Sequence, residues 1–370
     1  MKRLNFVFIL TIFLVLSGFA GYITNSDLLF YRDSTGLKKP VKTRSEWEIK
    51  RLQILESMQE AMGKIPDRSD LPELDVQVTD SLKEDSYTRL TINFKAAENE
   101  RVPAYLYIPV LKGKHKKLAA MVVLHGTGDL GKQLVDGFSS HANRAHAKEL
   151  AQRGYVVIAP DYPSMGGLKD YDFENDRYES GTMKGIFNHM RCVDLLQSRK
   201  EVDPKRIGVI GHSLGGHNAI FAGAFDERFK VIVSSCGWTL MDYYDIGEAA
   251  LKRYGGRLGP WAQDRYMPLL RDKYNLEADK IPFDFDEVIA VLAPRAFFSN
   301  SPLKDSNFDV EGVRKGIASA SQVFRFLRAE DKIQVRYPDS GHNFPTEVRL
   351  QAYQFIDKIL KHTPNDQEIE

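Results

Sequence analysis

Ser213 is the residue whose surroundings predict chemistry most clearly. It lies where an apolar segment typical of a strand, residues 207–211, meets an alanine-rich segment typical of a helix, residues 214–225. Gly211 and Gly215 stand two residues before and after the serine, where a sharp strand-to-helix turn leaves no room for a Cβ atom. This pattern is typical of a nucleophile elbow, which exposes a reactive hydroxyl. We predict that Ser213 is a catalytic nucleophile.

A serine hydroxyl is a weak nucleophile near neutral pH and needs a general base within hydrogen-bond reach. His342 stands directly after a predicted strand, residues 332–337, and before the last predicted helix, residues 347–361. A histidine in a loop at the end of one strand can approach a serine at the end of another strand of the same sheet. His342 is therefore the predicted base.

The base needs a carboxylate that orients its ring. Asp305 lies soon after the predicted strand 295–299 and is the favoured candidate. Asp309 is a second candidate, although its position before a predicted helix is typical of an N-cap residue. Asp161, which follows the predicted strand 155–160, is a weaker third candidate.

A tetrahedral intermediate requires hydrogen-bond donors at its developing oxyanion. The backbone N–H of Leu214 is one predicted donor, because the dipole of the helix that starts there favours negative charge. The second donor is predicted in the glycine-bearing loop after the strand 119–124. The N–H of Thr127 is the first choice there, and that of Gly126 is the alternative.

Short apolar segments alternate with helical segments over most of the chain. The predicted strands are residues 119–124, 155–160, 207–211, 230–235, 295–299 and 332–337, and the predicted helices are residues 142–153, 182–199, 214–225, 309–328 and 347–361. This alternation predicts an α/β fold with a mostly parallel, doubly wound sheet that is covered by helices on both faces. A predicted helix near residues 45–62 and a hairpin of strands 87–95 and 102–108 come before it.

The N-terminus combines two basic residues, Lys2 and Arg3, with an apolar run and small residues that end at Ala20. This composition predicts a secretory signal peptide, residues 1–20, and a secreted or periplasmic protein. An uncleaved membrane anchor is the alternative. The other predicted segments are a linker at 21–44, the N-terminal helix and antiparallel strands at 45–110, a catalytic domain at 111–362 with a cap-like insertion at 238–290, and a flexible tail at 363–370.

Charge and composition argue against several classes of function. The chain has 51 basic and 50 acidic side chains, so its net charge of +1 offers no field for binding nucleic acid or an anionic surface. We find no His-Glu-x-x-His motif and no cluster of cysteine and histidine, so we expect neither a metal nor another cofactor. The two cysteines, Cys192 and Cys236, stand in apolar segments, and the sequence does not decide whether they form a disulfide.

Over about residues 45–361 the chain resembles the dienelactone-hydrolase and acetyl-xylan-esterase-like branch of the α/β-hydrolase superfamily. The stretches that carry the resemblance are Gly211-His212-Ser213-Leu214-Gly215-Gly216-His217-Asn218, Pro282-Phe283-Asp284-Phe285-Asp286-Glu287, Ala293-Pro294-Arg295 and Gly341-His342-Asn343-Phe344-Pro345. The resemblance implies an α/β-hydrolase fold and a secreted serine esterase for small acyl esters, such as acetyl groups on a polysaccharide. It implies a small ester or an acylated carbohydrate as the binding partner.

Two departures from related patterns narrow this expectation. Dienelactone hydrolases carry a cysteine nucleophile, whereas this chain has Ser213, which favours ordinary esters as substrates. Glucuronoyl esterases carry an arginine directly after the serine, and here that residue is Leu214.

Two other functions stay open. A serine peptidase of the prolyl-oligopeptidase type shares the catalytic order serine, acid, histidine, but the N-terminal helix and hairpin are too short for its propeller. A binding protein on an inactive hydrolase scaffold is the second alternative, although it should have lost at least one of the three catalytic residues.

Overall fold

A computed structural model describes residues 28–110 and 117–365. The predicted signal peptide therefore lies outside the described residues. The strands are β1 (Phe30–Arg32), β2 (Lys38–Pro40), β3 (Gln77–Lys83), β4 (Tyr87–Ala97), β5 (Glu100–Pro109), β6 (Leu118–Leu124), β7 (Val156–Pro160), β8 (Val202–His212), β9 (Phe229–Ser235), β10 (Ala296–Asn300) and β11 (Ile333–Arg336). The α-helices are α1 (Arg44–Met62), α2 (His146–Gln152), α3 (Gly181–Ser198), α4 (Leu214–Phe225), α5 (Glu248–Tyr254), α6 (Leu269–Asp272), α7 (Phe285–Leu292), α8 (Val310–Phe326) and α9 (Thr346–Leu360).

Nine strands form one sheet in the order β11-β10-β9-β8-β6-β7-β5-β4-β3. The six strands from β11 to β7 run parallel, and β5, β4 and β3 continue the sheet in antiparallel pairing. Because these six strands run parallel, the carboxyl ends of β6, β8, β10 and β11 lie at the same edge of the sheet. The predicted fold, a mostly parallel sheet of the α/β-hydrolase type, is confirmed.

Alternate residues of the central strands feed two separate cores. In β8, Val209 belongs to the core on the face of α3, α4, α7 and α8, whereas Ile210 belongs to the core on the face of α2 and α9. Both side chains are fully buried. The side chains of such a strand are removed from water on both faces of the sheet. Because burial contributes ~25 cal/mol per Å² of apolar surface, it stabilises the sheet strongly.

Three stretches differ from the sequence-based expectations. A linker was expected at 21–44, but in its described part, from residue 28 on, β1 and β2 form a short hairpin around Asp33, whose carboxylate accepts the N–H groups of Thr35 and Leu37. The strand β3 was not predicted, because all seven of its residues are exposed at the sheet edge and lack an apolar alternation. The helix predicted at 142–153 begins only at His146.

The last part of the predicted cap-like insertion, residues 238–290, is not a cap. This part is α7, whose eight residues are all buried and pack between α4 and α8, so this helix belongs to the core. Asp284 caps the helix, and its side chain accepts the N–H of Phe285. The part before α7 consists of short helices and turns, and its Tyr266 contacts Thr127 in the loop after β6.

Aromatic side chains of the insertion pack against the protein itself. Trp238 is buried and donates its Nε1–H to Ser299 Oγ at 3.0 Å. Trp261 stacks on the ring of His217, with 4.0 Å between the ring centroids. These two rings therefore pack the insertion against the rest of the protein.

Both cysteines are buried and free of a disulfide. Burial raises the pKa of each thiol well above its usual value, so neither one carries the charge of a reactive thiolate near neutral pH. No helix among the described residues is long and apolar enough to cross a membrane.

Candidate active site

Ser213 lies at the junction of β8 and α4 with φ 57° and ψ −124°, a strained conformation for a residue with a side chain. The N–H of Ser213 donates to the backbone oxygen of Ser235 at 2.8 Å, and its own carbonyl accepts the N–H of His217 at 3.0 Å. These bonds to the neighbouring strand and to the following helix hold the turn. The hydroxyl is thereby presented at the carboxyl edge of the sheet.

The two glycines of the elbow are required by close backbone approaches. A Cβ atom on Gly211 would overlap the backbone of Gly215, and a Cβ atom on Gly215 would overlap the carbonyl of Leu124 at the end of β6. The turn is therefore packed between two strands and a helix without space for a methyl group.

This packing predicts a large effect of Gly215→Ala on stability. The new methyl group can only be accommodated by moving β6 away from α4, so we expect a loss of about 3 kcal/mol or more in the free energy of unfolding. Chemical denaturation measures it. Gly341→Ala is the matched control, because its Cβ would lie 3.6 Å from the nearest atom, an ordinary contact. Equal stability of the two variants would contradict the geometry of the elbow.

The three predicted catalytic residues come together at this edge. His342 Nε2 lies 2.9 Å from Ser213 Oγ, and His342 Nδ1 lies 2.9 Å from Asp305 Oδ1 and 3.1 Å from Asp305 Oδ2. The Asp305 side chain is 1% exposed, whereas that of His342 is 22% exposed. A buried carboxylate, a histidine and an accessible hydroxyl thus form one continuous chain of hydrogen bonds, which is the geometry of a nucleophile, base and orienting acid.

The structure separates the three candidate carboxylates. Asp305 also accepts the N–H groups of Asn307 and Phe308, which fix its side chain under the histidine. Asp309 caps α8 by accepting the N–H groups at the start of that helix. Asp161 pairs with Lys132 in a buried ion pair and does not approach His342.

The residues of both predicted oxyanion donors lie close to Ser213, since Leu214 follows it in the chain and Thr127 lines the cavity that also contains Ser213. Leu214 is the first residue of α4, and the N–H groups at the start of a helix have no partner within it. In the described part of the chain, the N–H of Thr127 likewise has no acceptor. The hydroxyl of Thr127 lies 3.2 Å from that of Tyr266, a residue of the insertion. Gly126, the alternative donor, accepts a bond from His125 Nδ1 through its carbonyl.

A second set of contacts, which sequence reasoning missed, holds the loop that carries His342. The carbonyl of Asn343 accepts the amide of Asn300 at 2.9 Å and the thiol of Cys236 at 3.2 Å. The amide of Asn300 also donates to Ser235 Oγ at 2.9 Å. A signal existed in the sequence, since polar residues stand at the ends of both β9 and β10, where apolar strands reach the predicted site.

Among the described residues, the group with spacing suited to a metal ion is Cys236, Asp305 and His342, whose ligand atoms lie within 4.8 Å of one another. Two of these side chains are members of the hydrogen-bonded chain described above. The hydrogen bonds of that chain therefore account for the group.

A cavity of about 350 Å³ opens beside Ser213 and His342. Its lining includes Thr127 and Arg144. Arg144 donates from Nη2 to the backbone oxygen of His342 at 3.1 Å and from Nη1 to Asn343 Oδ1 at 3.0 Å. Arg144 was not predicted as a site residue, because it falls within the segment 142–153 that was predicted as a helix.

Two buried histidines also line the cavity. Burial lowers the pKa of His146 to about 3 and that of His212 well below its usual value, so both rings are neutral near pH 7. His212 is held by a bond of 2.9 Å between its Nδ1 and Ser235 Oγ. Two neutral rings therefore lie at the cavity beside Ser213 and His342.

Comparisons with known proteins agree with this architecture. The sequence matches the model of the family described as "Prolyl oligopeptidase family" over residues 140–363, more than half of the chain. "Putative hydrolase YtaP" of Bacillus subtilis (strain 168) is 27% identical over 311 residues, which span 81% of this chain and 96% of that protein. "Carbohydrate esterase MZ0003" from an unknown prokaryotic organism is 28% identical over 204 residues, 50% of this chain and 46% of that protein.

A solved structure supports the fold independently. A glucuronoyl esterase from Solibacter usitatus superposes with a TM-score of 0.67 and 21% sequence identity, and the match covers 90% of this chain and 96% of that chain. At this identity the likeness concerns the fold alone.

Proposed function

The chain belongs to the prolyl oligopeptidase family of α/β-hydrolases, and from this premise we propose that it is a serine esterase that cleaves acyl esters through an acyl-enzyme. The observation that carries the proposal is the chain of hydrogen bonds from Ser213 through His342 to Asp305 at the mouth of a cavity. That the protein is a hydrolase follows from its family and its relatives.

In the proposed first step, Ser213 Oγ attacks the ester carbonyl while His342 Nε2 takes its proton. Asp305 stabilises the imidazolium and keeps the proton of Nδ1 directed toward itself. The carbonyl oxygen becomes an oxyanion that accepts the N–H groups of Leu214 and Thr127. Collapse of this intermediate breaks the bond to the alcohol oxygen, which receives the proton from His342.

In the second step a water molecule takes the place of the alcohol. His342 removes a proton from the water, the resulting hydroxide attacks the acyl-enzyme, and the same two N–H groups bind the second oxyanion. The acyl–oxygen bond then breaks, and His342 returns the proton to Ser213. The products are a carboxylic acid and the free enzyme, so atoms and charge balance without a redox step.

We propose further that the alcohol part of the substrate ester is a carbohydrate. It is supported by the names of a relative, a carbohydrate esterase, and of a structural neighbour, a glucuronoyl esterase. Export through the N-terminal segment, with cleavage after Ala20, belongs to the same proposal, because a polysaccharide is met outside the cell.

A peptidase is the second candidate, because the family model that matches is named for a peptidase. The described residues before β6 form the separate hairpin of β1 and β2, the helix α1 and the strands β3 to β5 of the large sheet, not the blades of a propeller. Among the described residues no propeller blade covers the cavity beside Ser213, which favours a small ester over a peptide that a propeller would select.

The test is a comparison of substrates. We expect kcat/KM for 4-nitrophenyl acetate to exceed that for glycyl-prolyl-4-nitroanilide by at least about 100-fold, with release of acetate from acetylated xylan as a second readout. Ser306 is an exposed serine next to Asp305, and its replacement in Ser306→Ala should leave the hydrolysis of 4-nitrophenyl acetate unchanged. Anilide hydrolysis without ester hydrolysis would favour the peptidase instead.

A further inference from the structure

We propose that the guanidinium of Arg144 binds a carboxylate on the alcohol part of the substrate, so that the preferred esters are those of an acidic alcohol, such as a sugar acid. This inference rests on the proposed function and names the substrate class of the same site. It depends on where Arg144 lies, on the charge that surrounds it and on the donors that it still has to offer.

Arg144 lies on the side of the site where the alcohol must leave. The proton that His342 Nε2 takes from Ser213 has to be given to the leaving oxygen, so the alcohol lies on the histidine side of the serine. Arg144 is anchored on that same side, since its Nη2 donates to the backbone oxygen of His342 at 3.1 Å. Both residues line the cavity of about 350 Å³.

The charge of Arg144 has no carboxylate partner. Its acceptors are the backbone oxygens of Ala142, Asn143 and His342 and the side-chain oxygen of Asn343, all of them neutral. Within the described ranges, no aspartate or glutamate makes an ion pair with it, and none lines the cavity. Arginine keeps its proton in proteins, so Arg144 places a positive charge on the wall of the cavity that an anionic substrate would neutralise.

Arg144 also has N–H groups that no acceptor among the described residues occupies. A guanidinium has five N–H groups, and the bonds given above occupy both N–H groups of Nη1 and one of Nη2. Among the described residues, Nε–H and the second N–H of Nη2 have no acceptor. Two neighbouring donors of a guanidinium fit the two oxygens of a carboxylate, which is the geometry of a bidentate pair.

A structural role alone does not account for this arrangement. Asn343 is already held through its carbonyl by Asn300 and Cys236, so the loop of His342 has fixed contacts that do not involve Arg144. A neutral donor would serve equally well for the acceptors that Arg144 contacts, whereas an unpaired charge beside a cavity adds affinity only for an anion.

The test compares two acetate esters that differ by one charge, 3-acetoxybenzoate and its neutral amide, 3-acetoxybenzamide. We expect the wild-type protein to prefer the benzoate in kcat/KM by about 10- to 100-fold, mainly through a lower KM, which is the range of a charge-assisted hydrogen bond. Arg144→Met should lower this ratio at least about tenfold. Arg144→Lys should keep part of it, because the charge remains and the fork is lost.

Lys148→Met is the matched control, since Lys148 is an exposed cation on α2 outside the cavity, and it should leave the ratio unchanged. Equal hydrolysis of both esters by the wild-type protein would overturn the inference and leave the esterase in place. A loss of the same factor for both esters in Arg144→Met would also overturn it, since Arg144 would then only position His342. Hydrolysis of neither ester by folded protein would refute the proposed function as well.

Discussion

Ser213→Ala is expected to lower kcat/KM for 4-nitrophenyl acetate by about 10⁴-fold or more, to a level near the background given by the oxyanion donors alone. The reason is that the hydroxyl supplies the bond of the acyl-enzyme, and no other side chain of the described cavity lining offers a nucleophile at 2.9 Å from His342 Nε2. Steady-state kinetics on purified protein measure the effect.

The variant should fold as the wild-type protein does, because the serine hydroxyl contacts His342 while the backbone of Ser213 makes the bonds that hold the turn. Circular dichroism and thermal unfolding check this. If folded Ser213→Ala kept more than about a tenth of the activity, the nucleophile would have to be another residue.

Asp305→Asn is expected to lower kcat by about 10³- to 10⁴-fold. An amide in place of the carboxylate can donate its own N–H to His342 Nδ1, which leaves the proton on Nε2 and removes the base that faces Ser213. It also withdraws the negative charge that stabilises the imidazolium. KM should change far less than kcat, since Asp305 is buried behind the histidine.

Asp309→Asn provides the matched control for this second variant. Asparagine caps helices as well as aspartate does, so α8 and the activity should both be retained. The pair of variants also decides between Asp305 and Asp309, two of the three carboxylates that the sequence left open. Loss of activity in Asp309→Asn with retention in Asp305→Asn would reverse the assignment.

Much of this site could be predicted from the sequence because its parts are local. The glycines on both sides of Ser213 indicate a sharp turn that residues with a Cβ atom do not permit. His342 and Asp305 each follow an apolar strand within a few residues. Parallel strands bring their carboxyl ends to one edge, so local patterns far apart in the chain specify one constellation. The central strands were predictable for a related reason, since burial on both faces makes them continuously apolar.

The parts that escaped prediction depend on contacts between distant segments. The helix expected from residue 142 starts at His146, because Asn143 adopts φ 63° and Arg349, more than 200 residues later, donates to its side chain at 2.7 Å. This irregular loop is what turns Arg144 toward the site. The strand β3 gives no signal, because an exposed edge strand is held by backbone bonds to β4 and has no buried side chain.

The central claim is that Ser213 forms a covalent bond with the acyl group, and the most direct measurement is to locate that bond. Treatment with a fluorophosphonate, followed by trypsin and mass spectrometry, should place one adduct on the peptide Ile207–Arg228, which contains a single serine. Saturating 4-nitrophenyl acetate should slow the labelling. An unlabelled protein that still hydrolyses the ester, or an adduct on another peptide, would contradict the account.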